Sequence, residues 1–223
     1  MSKELVIFDI DNTIVKGQSQ KLLLSYLYRK KIIGFSYYLR IYIWFILYKL
    51  GLIRNPKKTM EYAFMFLKGK VVEETEKIID NFFEEVLKKH IFEEAINLIN
   101  DHRSKNREIL LLSNIIDVLA KKITDFLGVR YCISTKLEII DGKYTGKILG
   151  DIVYGENKEV FAKNFIQGNN FSVNTSWAYG DHITDLNVLK SVKYPFAVNP
   201  DKSFYKEAQK RKWPILAFNK TLL

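Results

Sequence analysis

Short apolar runs, most of which end in acidic or hydroxyl residues, constrain the fold of this chain more than any other feature. Four of them are predicted to be strands, at 4–9, 108–112, 176–179 and 194–198. A strand with one face in water alternates apolar and polar residues, whereas a strand covered on both faces is apolar throughout. The runs do not alternate, so we predict that they form a parallel sheet with helices on both faces.

Segments with the apolar spacing of helices separate these strands, at about 91–104, 115–127, 156–167, 183–191 and 201–211. Strands that alternate with helices of this length indicate an α/β fold with a Rossmann-like parallel sheet as its core. The turn signal Asp141-Gly142 lies between two short segments, 137–140 and 143–145, and predicts a small hairpin.

The stretch from 16 to 90 interrupts this alternation. It contains no convincing strand, and its apolar residues follow helical spacing, most clearly at 71–88. A chain of 223 residues can form one domain with a large insertion or two small domains. We therefore predict an α/β core domain of residues 1–15 and 91–223, with an all-helical domain of residues 16–90 inserted after the first strand.

The net charge of +10 lies entirely within residues 16–58, which hold ten basic residues and no Asp or Glu. Within this segment, residues 33–53 carry only two charges, Arg40 and Lys49, but those cations argue against a membrane-spanning helix. We expect an apolar helix buried in its own bundle or in a homodimer, and contact of 33–53 with a membrane surface stays open. We expect no nucleic acid partner, because no recognised motif accompanies the charge.

The cysteine content and the N-terminal residues bear on the compartment. A single cysteine, Cys132, excludes a disulfide scaffold and a metal site made only of cysteines. The first apolar run is short and is interrupted by Asp9, unlike a signal peptide. We therefore expect a cytoplasmic protein, either a monomer or a homodimer.

Polar side chains follow three of the predicted strands. Asp9 and Asp11 follow the first, Ser113 follows the second, and Asp181 and Asp185 follow the third. The carboxyl ends of parallel strands meet at one edge of the sheet, where ligands bind in open α/β folds. Converging carboxylates need a cation, and oxygen ligands without a His or Cys cluster favour Mg²⁺.

The sequence around these residues resembles the haloacid dehalogenase superfamily. Asp9-Ile10-Asp11-Asn12-Thr13 is similar to its first motif, Ser113 to its second, Lys158 to its third, and residues 180–185 to its fourth. Residues 141–146 and 154–158 are similar to the phosphoserine-phosphatase-like branch, which carries a helical cap between the first two motifs. The resemblance implies the α/β core of that superfamily with the insertion 16–90 as its cap.

The resemblance also implies roles for individual residues. Asp9 would be the nucleophile and Asp11 the general acid and base, while Ser113 and Lys158 would hold the phosphoryl oxygens. Mg²⁺ would be bound by Asp9, by the backbone carbonyl of Asp11 and by Asp181, with Asp185 in support. The set of predicted substrate-binding residues is Ser113, Asn114, Lys158 and Gln18.

The predicted function is that of a Mg²⁺-dependent phosphomonoester phosphatase that acts on a small phosphorylated metabolite through an aspartyl-phosphate. The second acid, Asp11, favours phosphate esters over dehalogenation, because a halide leaves without a proton. A phosphotransferase with the same intermediate and a membrane-surface binding module on the same fold stay open. Phosphoserine is not favoured as substrate, because Gln18 and Ala63 stand where that branch supplies a Glu and an Arg for the amino acid charges.

Overall fold

A computed structural model describes residues 3–49, 52 and 55–222 of the chain. Its strands, in chain order, are β1 Leu5–Phe8, β2 Glu108–Ile116, β3 Tyr131–Thr135, β4 Leu137–Ile140, β5 Lys143–Ile148, β6 Trp177–Gly180, β7 Tyr194–Val198 and β8 Ile215–Leu216. Its α-helices are α1 Ser19–Arg29, α2 Phe35–Lys49, α3 Pro56–Phe64, α4 Val72–Glu85, α5 Glu93–Ser104, α6 Asp117–Leu127, α7 Glu156–Gly168, α8 Leu186–Lys190 and α9 Lys202–Lys210.

Six strands form one parallel sheet in the order β3-β2-β1-β6-β7-β8. The central strand β1 is buried at every position, and its side chains alternate between two cores. Val6 and Phe8 pack in one core, and Leu5 and Ile7 pack in the other on the opposite face. The continuous apolar run therefore forms a strand that is covered on both faces, as the sequence predicts. The α/β fold class is confirmed.

Two strands of the sheet were not predicted. Strand β3 is only half-buried over most of its length, and its sequence Tyr-Cys-Ile-Ser-Thr lacks the apolar run that marks a central strand. Strand β8 has two residues and pairs only with β7. Both lie at the edges of the sheet, where one side has no neighbouring strand and burial does not demand apolar residues.

The boundaries of two predicted helices were wrong. Strand β2 continues to Ile116, so residues 115–116 are extended and α6 begins at Asp117. The segment 183–191 is a turn of 3₁₀-helix, Ile183–Asp185, followed by the short α8. The hairpin prediction is confirmed, since β4 and β5 pair antiparallel across Asp141 and Gly142, which both have positive φ.

Between β1 and α5, residues 16–90 contain α1 to α4 and two 3₁₀ turns, Met65–Leu67 and Leu87–His90. We call residues 16–90 the helical insertion. The chain enters and leaves it side by side, because Lys16 N donates to His90 O at 2.7 Å and Phe92 N donates to Ile14 O at 2.9 Å. The assignment of residues 1–15 and 91–223 to a separate core domain stays a prediction.

The hairpin is also bonded to the helical insertion. Gly69 N donates to Tyr144 O at 2.8 Å, Tyr144 N donates to Lys70 O at 3.0 Å, and Val72 N donates to Gly142 O at 3.1 Å. These bonds tie the chain between α3 and α4 to β5, as a short extended segment does in a sheet. The hairpin therefore belongs structurally with the insertion, although it follows β3 in sequence.

The apolar segment 33–53 is only partly covered. On α2, Ile41 is 1% exposed, whereas Phe35 is 60% exposed. The prediction that this helix is buried in its own bundle was therefore correct for one face only. Residues 50, 51 and 53 of the segment lie outside the described part of the chain. No helix among the described residues is long and apolar enough to cross a membrane.

The buried side chain of His102, on α5, contacts β6 on one face of the sheet. Nε2 of His102 is 2.8 Å from the Tyr179 hydroxyl, and Nδ1 is 3.1 Å from Nη1 of Arg107. Because a guanidinium can only donate, Nδ1 accepts and Nε2 carries the proton that is donated to Tyr179. Arg107 is held in turn by Glu4 at 2.7 Å and lies 3.8 Å from the centre of the Trp177 ring.

This arrangement predicts a loss of stability in acid. Burial and then the charge of Arg107 lower the pKa of His102 from 6.5 to about 4. Between these values the unfolded chain binds a proton that the folded chain does not, so the free energy of unfolding falls as the pH decreases from 6.5 towards 4. We expect His102 to account for about 2 kcal/mol of this loss, with solvent screening allowed for.

Urea unfolding of the wild type and of His102→Gln between pH 7 and pH 4 measures the effect. The glutamine side chain of the variant takes up no proton in this range but can still donate to Tyr179. The difference in unfolding free energy between the two proteins should narrow as the pH falls. A difference that stays constant with pH would show that His102 does not titrate as expected.

Candidate active site

Four acidic and hydroxyl residues predicted from the strand ends are buried at the carboxyl edge of the sheet. Asp9 follows β1 directly, and Asp181 follows β6. Asp185 ends the 3₁₀ turn after β6 and is 2% exposed. Ser113 lies within β2 rather than after it, at the point where the pairing of β2 with β3 changes register between Leu112 and Ile116.

Three of the carboxylates converge. One oxygen from each of Asp9, Asp181 and Asp185 lies within 4.8 Å of the others. Lys158, in the first turn of α7, places Nζ 2.5 Å from Oδ1 of Asp9 and 2.5 Å from Oδ1 of Asp185. We call these four residues the acidic cluster. Residues that are up to 176 positions apart in sequence thus meet at one point, as the strand-end argument predicts.

The charges of the acidic cluster do not balance. Burial, followed by the neighbouring carboxylates, raises the pKa values of Asp9 and Asp181 well above the ordinary value for Asp. Burial alone would lower the pKa of Lys158, but the carboxylates of Asp185 and Asp9 outweigh it and raise that pKa. With all four groups ionised, three negative charges face one positive charge. A divalent cation supplies the two charges needed for neutrality, so the donor set fits a metal ion.

Asp11 has a different environment from Asp9. Its Oδ1 accepts a hydrogen bond of 2.9 Å from the backbone N–H of Ser19, the first residue of α1. Burial raises the pKa of Asp11, and the hydrogen bonds from Ser19 oppose that rise. Its carboxylate does not belong to the group of oxygens that could hold a metal in the described residues. Asp9 and Asp11 therefore have different chemical environments, although only one residue separates them in sequence.

Asn12 holds the loop that carries both acids. Its backbone has a φ of +57°, which Asn tolerates better than most residues. Its Nδ2 donates to Oδ2 of Asp181 at 2.9 Å, and its Oδ1 accepts from Gly17 N at 3.0 Å. Asn199, which follows β7, donates to the Asn12 carbonyl at 3.3 Å. Asn12 was quoted within the first motif without a role of its own, and Asn199 was not foreseen, although the strand-end rule that found Asp9 also applies to Asn199.

Two of the predicted substrate-binding residues, Asn114 and Gln18, differ in their surroundings. Oδ1 of Asn114 accepts from the Thr135 hydroxyl at 2.9 Å, and its carbonyl accepts from Nε2 of Gln20 at 3.2 Å. Gln18 precedes α1 and is exposed, and its side chain does not cap that helix. Gln20 and Thr135 were not foreseen. No local pattern reveals them, because their contacts depend on how α1 and β3 pack beside β2.

The model of the haloacid dehalogenase-like hydrolase family matches residues 6–190. The chain belongs to this family. The match includes every motif residue from Asp9 to Asp185, and the resemblance predicted from the sequence is confirmed. Membership in the haloacid dehalogenase-like hydrolases makes the chain an enzyme of the hydrolase class.

Proteins of known sequence or structure are similar to the chain over nearly its whole length. A histidinol-phosphatase of Neisseria meningitidis is 27% identical over 97% of this chain and 99% of its own. A structure of a Bordetella pertussis protein of unknown function has a TM-score of 0.90 at 23% identity, covering 97% and 99% of the two chains. A phosphoserine phosphatase with a phospho-aspartyl intermediate analogue has a TM-score of 0.70 at 19% identity, covering 99% and 95%. The two solved structures share the fold of this chain.

Gly180, the last residue of β6, leaves room for the side chain of Asp185 in the acidic cluster. A Cβ at this position would lie 2.6 Å from Oδ2 of Asp185 and 2.8 Å from the Cβ of Asp185. We expect Gly180→Ala to displace Asp185 from Lys158, to lower the free energy of unfolding by about 1–3 kcal/mol and to remove most hydrolase activity. Urea unfolding and a phosphate-release assay measure the two effects.

The matched control is Gly168→Ala, at the end of α7. A Cβ there has no neighbouring atom within 4 Å, and the backbone needs no positive φ. This variant should keep the stability and activity of the wild type. Equal behaviour of the two variants would contradict the close contact between Gly180 and Asp185.

Proposed function

We propose that the chain is a Mg²⁺-dependent phosphomonoester phosphatase that acts on a small phosphorylated metabolite through an aspartyl-phosphate. The observation that carries this proposal is the different placement of two acids in one loop. Asp9 lies in the acidic cluster beside Lys158, whereas Asp11 is bonded to the start of α1. Phosphoester hydrolysis in two steps needs such a pair, one group to attack phosphorus and one to carry a proton.

In the first step, an oxygen of Asp9 forms a bond to phosphorus, and the bond from phosphorus to the substrate oxygen breaks. Lys158 stays protonated because two carboxylates contact its Nζ, so it remains a positive charge next to the attacking group. That charge would face the phosphoryl oxygens as negative charge shifts onto them. Ser113, which is 3% exposed at the same edge, would donate its hydroxyl to another of these oxygens.

Asp11 would give its proton to the departing alcohol oxygen. Its raised pKa favours the protonated form, and the Ser19 N–H fixes one carboxyl oxygen while the other can face the substrate. In the second step, Asp11 would take a proton from water as that water attacks the phosphorus of the aspartyl-phosphate. The bond from phosphorus to Asp9 then breaks, which releases phosphate and restores both acids.

Asp9, Asp181 and Asp185 are the residues that would hold Mg²⁺, together with the backbone carbonyl of Asp11 that the family resemblance implies. When bound, the ion supplies positive charge that offsets the repulsion between these carboxylates and the phosphate. Asn12 would keep Asp181 in position, because its amide donates to Oδ2 of Asp181. Asp185 would in addition position Lys158 through their direct contact.

The leaving group of the substrate differs from serine in this proposal. The relatives include a histidinol-phosphatase, and phosphoserine phosphatases share the fold. In this chain, Gln18 is neutral, and Ala63 is an apolar residue that is 8% exposed. Neither position supplies the charge that would bind the amino or carboxylate group of a free amino acid. A screen of phosphorylated metabolites is the direct way to find the substrate.

Replacing the two acids separates their roles. Asp9→Asn should abolish phosphate release, because an amide does not attack phosphorus. Asp11→Asn should reduce kcat about 10²–10⁴-fold on alkyl phosphates, but much less on p-nitrophenyl phosphate, whose leaving group needs little protonation. Steady-state kinetics on the two ester classes measure the difference.

Asp151→Asn is the control for this experiment. Asp151 is exposed in the segment between the hairpin and α7, and its replacement should leave both activities unchanged. An Asp11→Asn variant with equal losses on all esters would argue against its role as the acid. An Asp9→Asn variant with more than a few per cent of activity would exclude the covalent mechanism.

The metal requirement is a separate prediction. EDTA should remove activity and Mg²⁺ should restore it, because the acidic cluster needs two further positive charges. Ca²⁺ should bind without restoring the rate, since its longer and looser coordination misplaces the phosphoryl group relative to Asp9. A phosphate-release assay after dialysis measures both effects. Full activity in EDTA, or in Ca²⁺ alone, would contradict the proposed Mg²⁺ site.

A further inference from the structure

One face of α2 exposes a continuous apolar surface. Its five side chains, which we call the outer face, are between 42% and 60% exposed: Phe35, Leu39, Tyr42, Ile43 and Ile46. They recur at intervals of one, three and four residues, so they lie on one side of the helix. Isolated apolar residues at a surface are common, but five along one helix form a patch of the kind that marks an interaction site.

The opposite face of α2 is fixed against the rest of the helical insertion. The Tyr37 hydroxyl donates to Tyr62 O at 3.0 Å and accepts from Phe66 N at 3.0 Å. The Trp44 ring stacks on Tyr62 with centroids 4.7 Å apart, and Ile41 is buried. Because these contacts fix the rotation of the helix, the outer face cannot turn inward without breaking them.

Unpaired cations lie on α2 and in the segments before and after it in the chain. Arg40 lies on α2, Arg29 and Lys31 precede the helix, and Lys58 follows it in α3. All four are exposed, and no acidic side chain in the described part of the chain pairs with them. Two other cations of the segment are already engaged, since Lys30 contacts Glu85 at 2.8 Å and Lys57 donates to Gly150 O at 2.6 Å.

We propose that the outer face of α2 docks on a membrane surface that contains anionic lipids. Apolar and aromatic side chains enter the boundary between headgroups and acyl chains, while cations beside them contact the anionic headgroups. A helix of 15 residues with an apolar side and a charged edge suits a position parallel to the membrane plane. The charge of +10 in residues 16–58 complements an anionic surface.

A second copy of the chain matches this surface less well. In a symmetric dimer the same patch lies on both sides of the interface, so each Arg40 would approach the cations of the other copy. Segment 16–58 contains no acid with which they could pair. An anionic lipid surface satisfies the apolar residues and the cations together.

Vesicle flotation of the full chain tests the proposal without any substrate. The wild type should float with vesicles of phosphatidylcholine and phosphatidylglycerol at low salt, and poorly with phosphatidylcholine alone. Raising the salt should release much of the protein, because exposed charges are screened over about 8–10 Å at physiological ionic strength. Absence of flotation on the anionic vesicles at low salt would overturn the proposal.

Variants locate the contact. Ile43→Gln combined with Ile46→Gln should weaken binding at least about tenfold, since each side chain loses apolar area that would enter the lipid. Arg40→Gln should weaken binding to anionic vesicles about fivefold, the equivalent of about 1 kcal/mol for one cation at the surface.

Matched controls carry the same chemical changes elsewhere. Ile140→Gln combined with Val160→Gln removes two aliphatic side chains that are 58% and 52% exposed on β4 and α7. Lys206→Gln removes an exposed cation from α9. These variants should float as the wild type does, and circular dichroism establishes that every variant is folded. Equal losses in the control and α2 variants would overturn the assignment to the outer face.

Light scattering tests whether a second copy of the chain, rather than a membrane, covers the outer face. A wild-type dimer that becomes a monomer in the Ile43→Gln/Ile46→Gln variant, without flotation of either protein, would show that a second copy covers this face and would overturn the proposal. Hydrolysis of a soluble ester is measured in parallel. Because flotation needs no catalysis, failure of the membrane proposal and failure of the phosphatase proposal give different results.

Discussion

The contact of Lys158 with Asp9 and Asp185 is the interaction on which the arrangement of the carboxyl edge of the sheet depends. It joins α7, the end of β1 and the turn after β6, and all three side chains are at least 90% buried. Charges in such a site are tolerated only when each has a partner within contact distance. Any shift of α7 along the sheet would leave two carboxylates without their cation. The position of α7, and with it the width of the site, is therefore fixed by electrostatics as well as by apolar packing.

The residues that converge on this edge were predictable, because strand direction decides where they lie. Three apolar runs followed by polar residues were enough to bring Asp9, Asp181 and Asp185 to one edge of the sheet, and Lys158 followed from the family resemblance. Residues whose roles depend on packing between distant elements were not predictable in this way. Gln20 reaches β2 only because α1 lies beside it, and the edge strand β3 is too exposed to show an apolar run. The exposed side of α2 was missed for a related reason, since sequence reveals that a helix is apolar but not how much of it neighbouring helices cover.

The start of α1, in the helical insertion, contacts the carboxyl edge of the sheet through Ser19 and Gln20. Ser19 N binds the Asp11 carboxylate, and the side chain of Gln20 binds the Asn114 carbonyl. Both residues lie in the first turn of α1, so one helix start orients the second acid and contacts the strand that carries Ser113. The inserted segment is thereby part of the site itself.

The backbone bonds between the hairpin and residues 69–72 limit how the insertion can move. A hinge at the paired crossing of residues 14–16 and 90–92 is not sufficient for opening, because the hairpin would hold the far end in place. A rotation of the insertion would therefore carry the hairpin with it. It would need a second point of bending at the base of the hairpin, where Leu149 N bonds to Lys136 O and Gly150 follows with a φ of +72°. Two separate joints, rather than one, would then set how readily the helical insertion moves against the sheet.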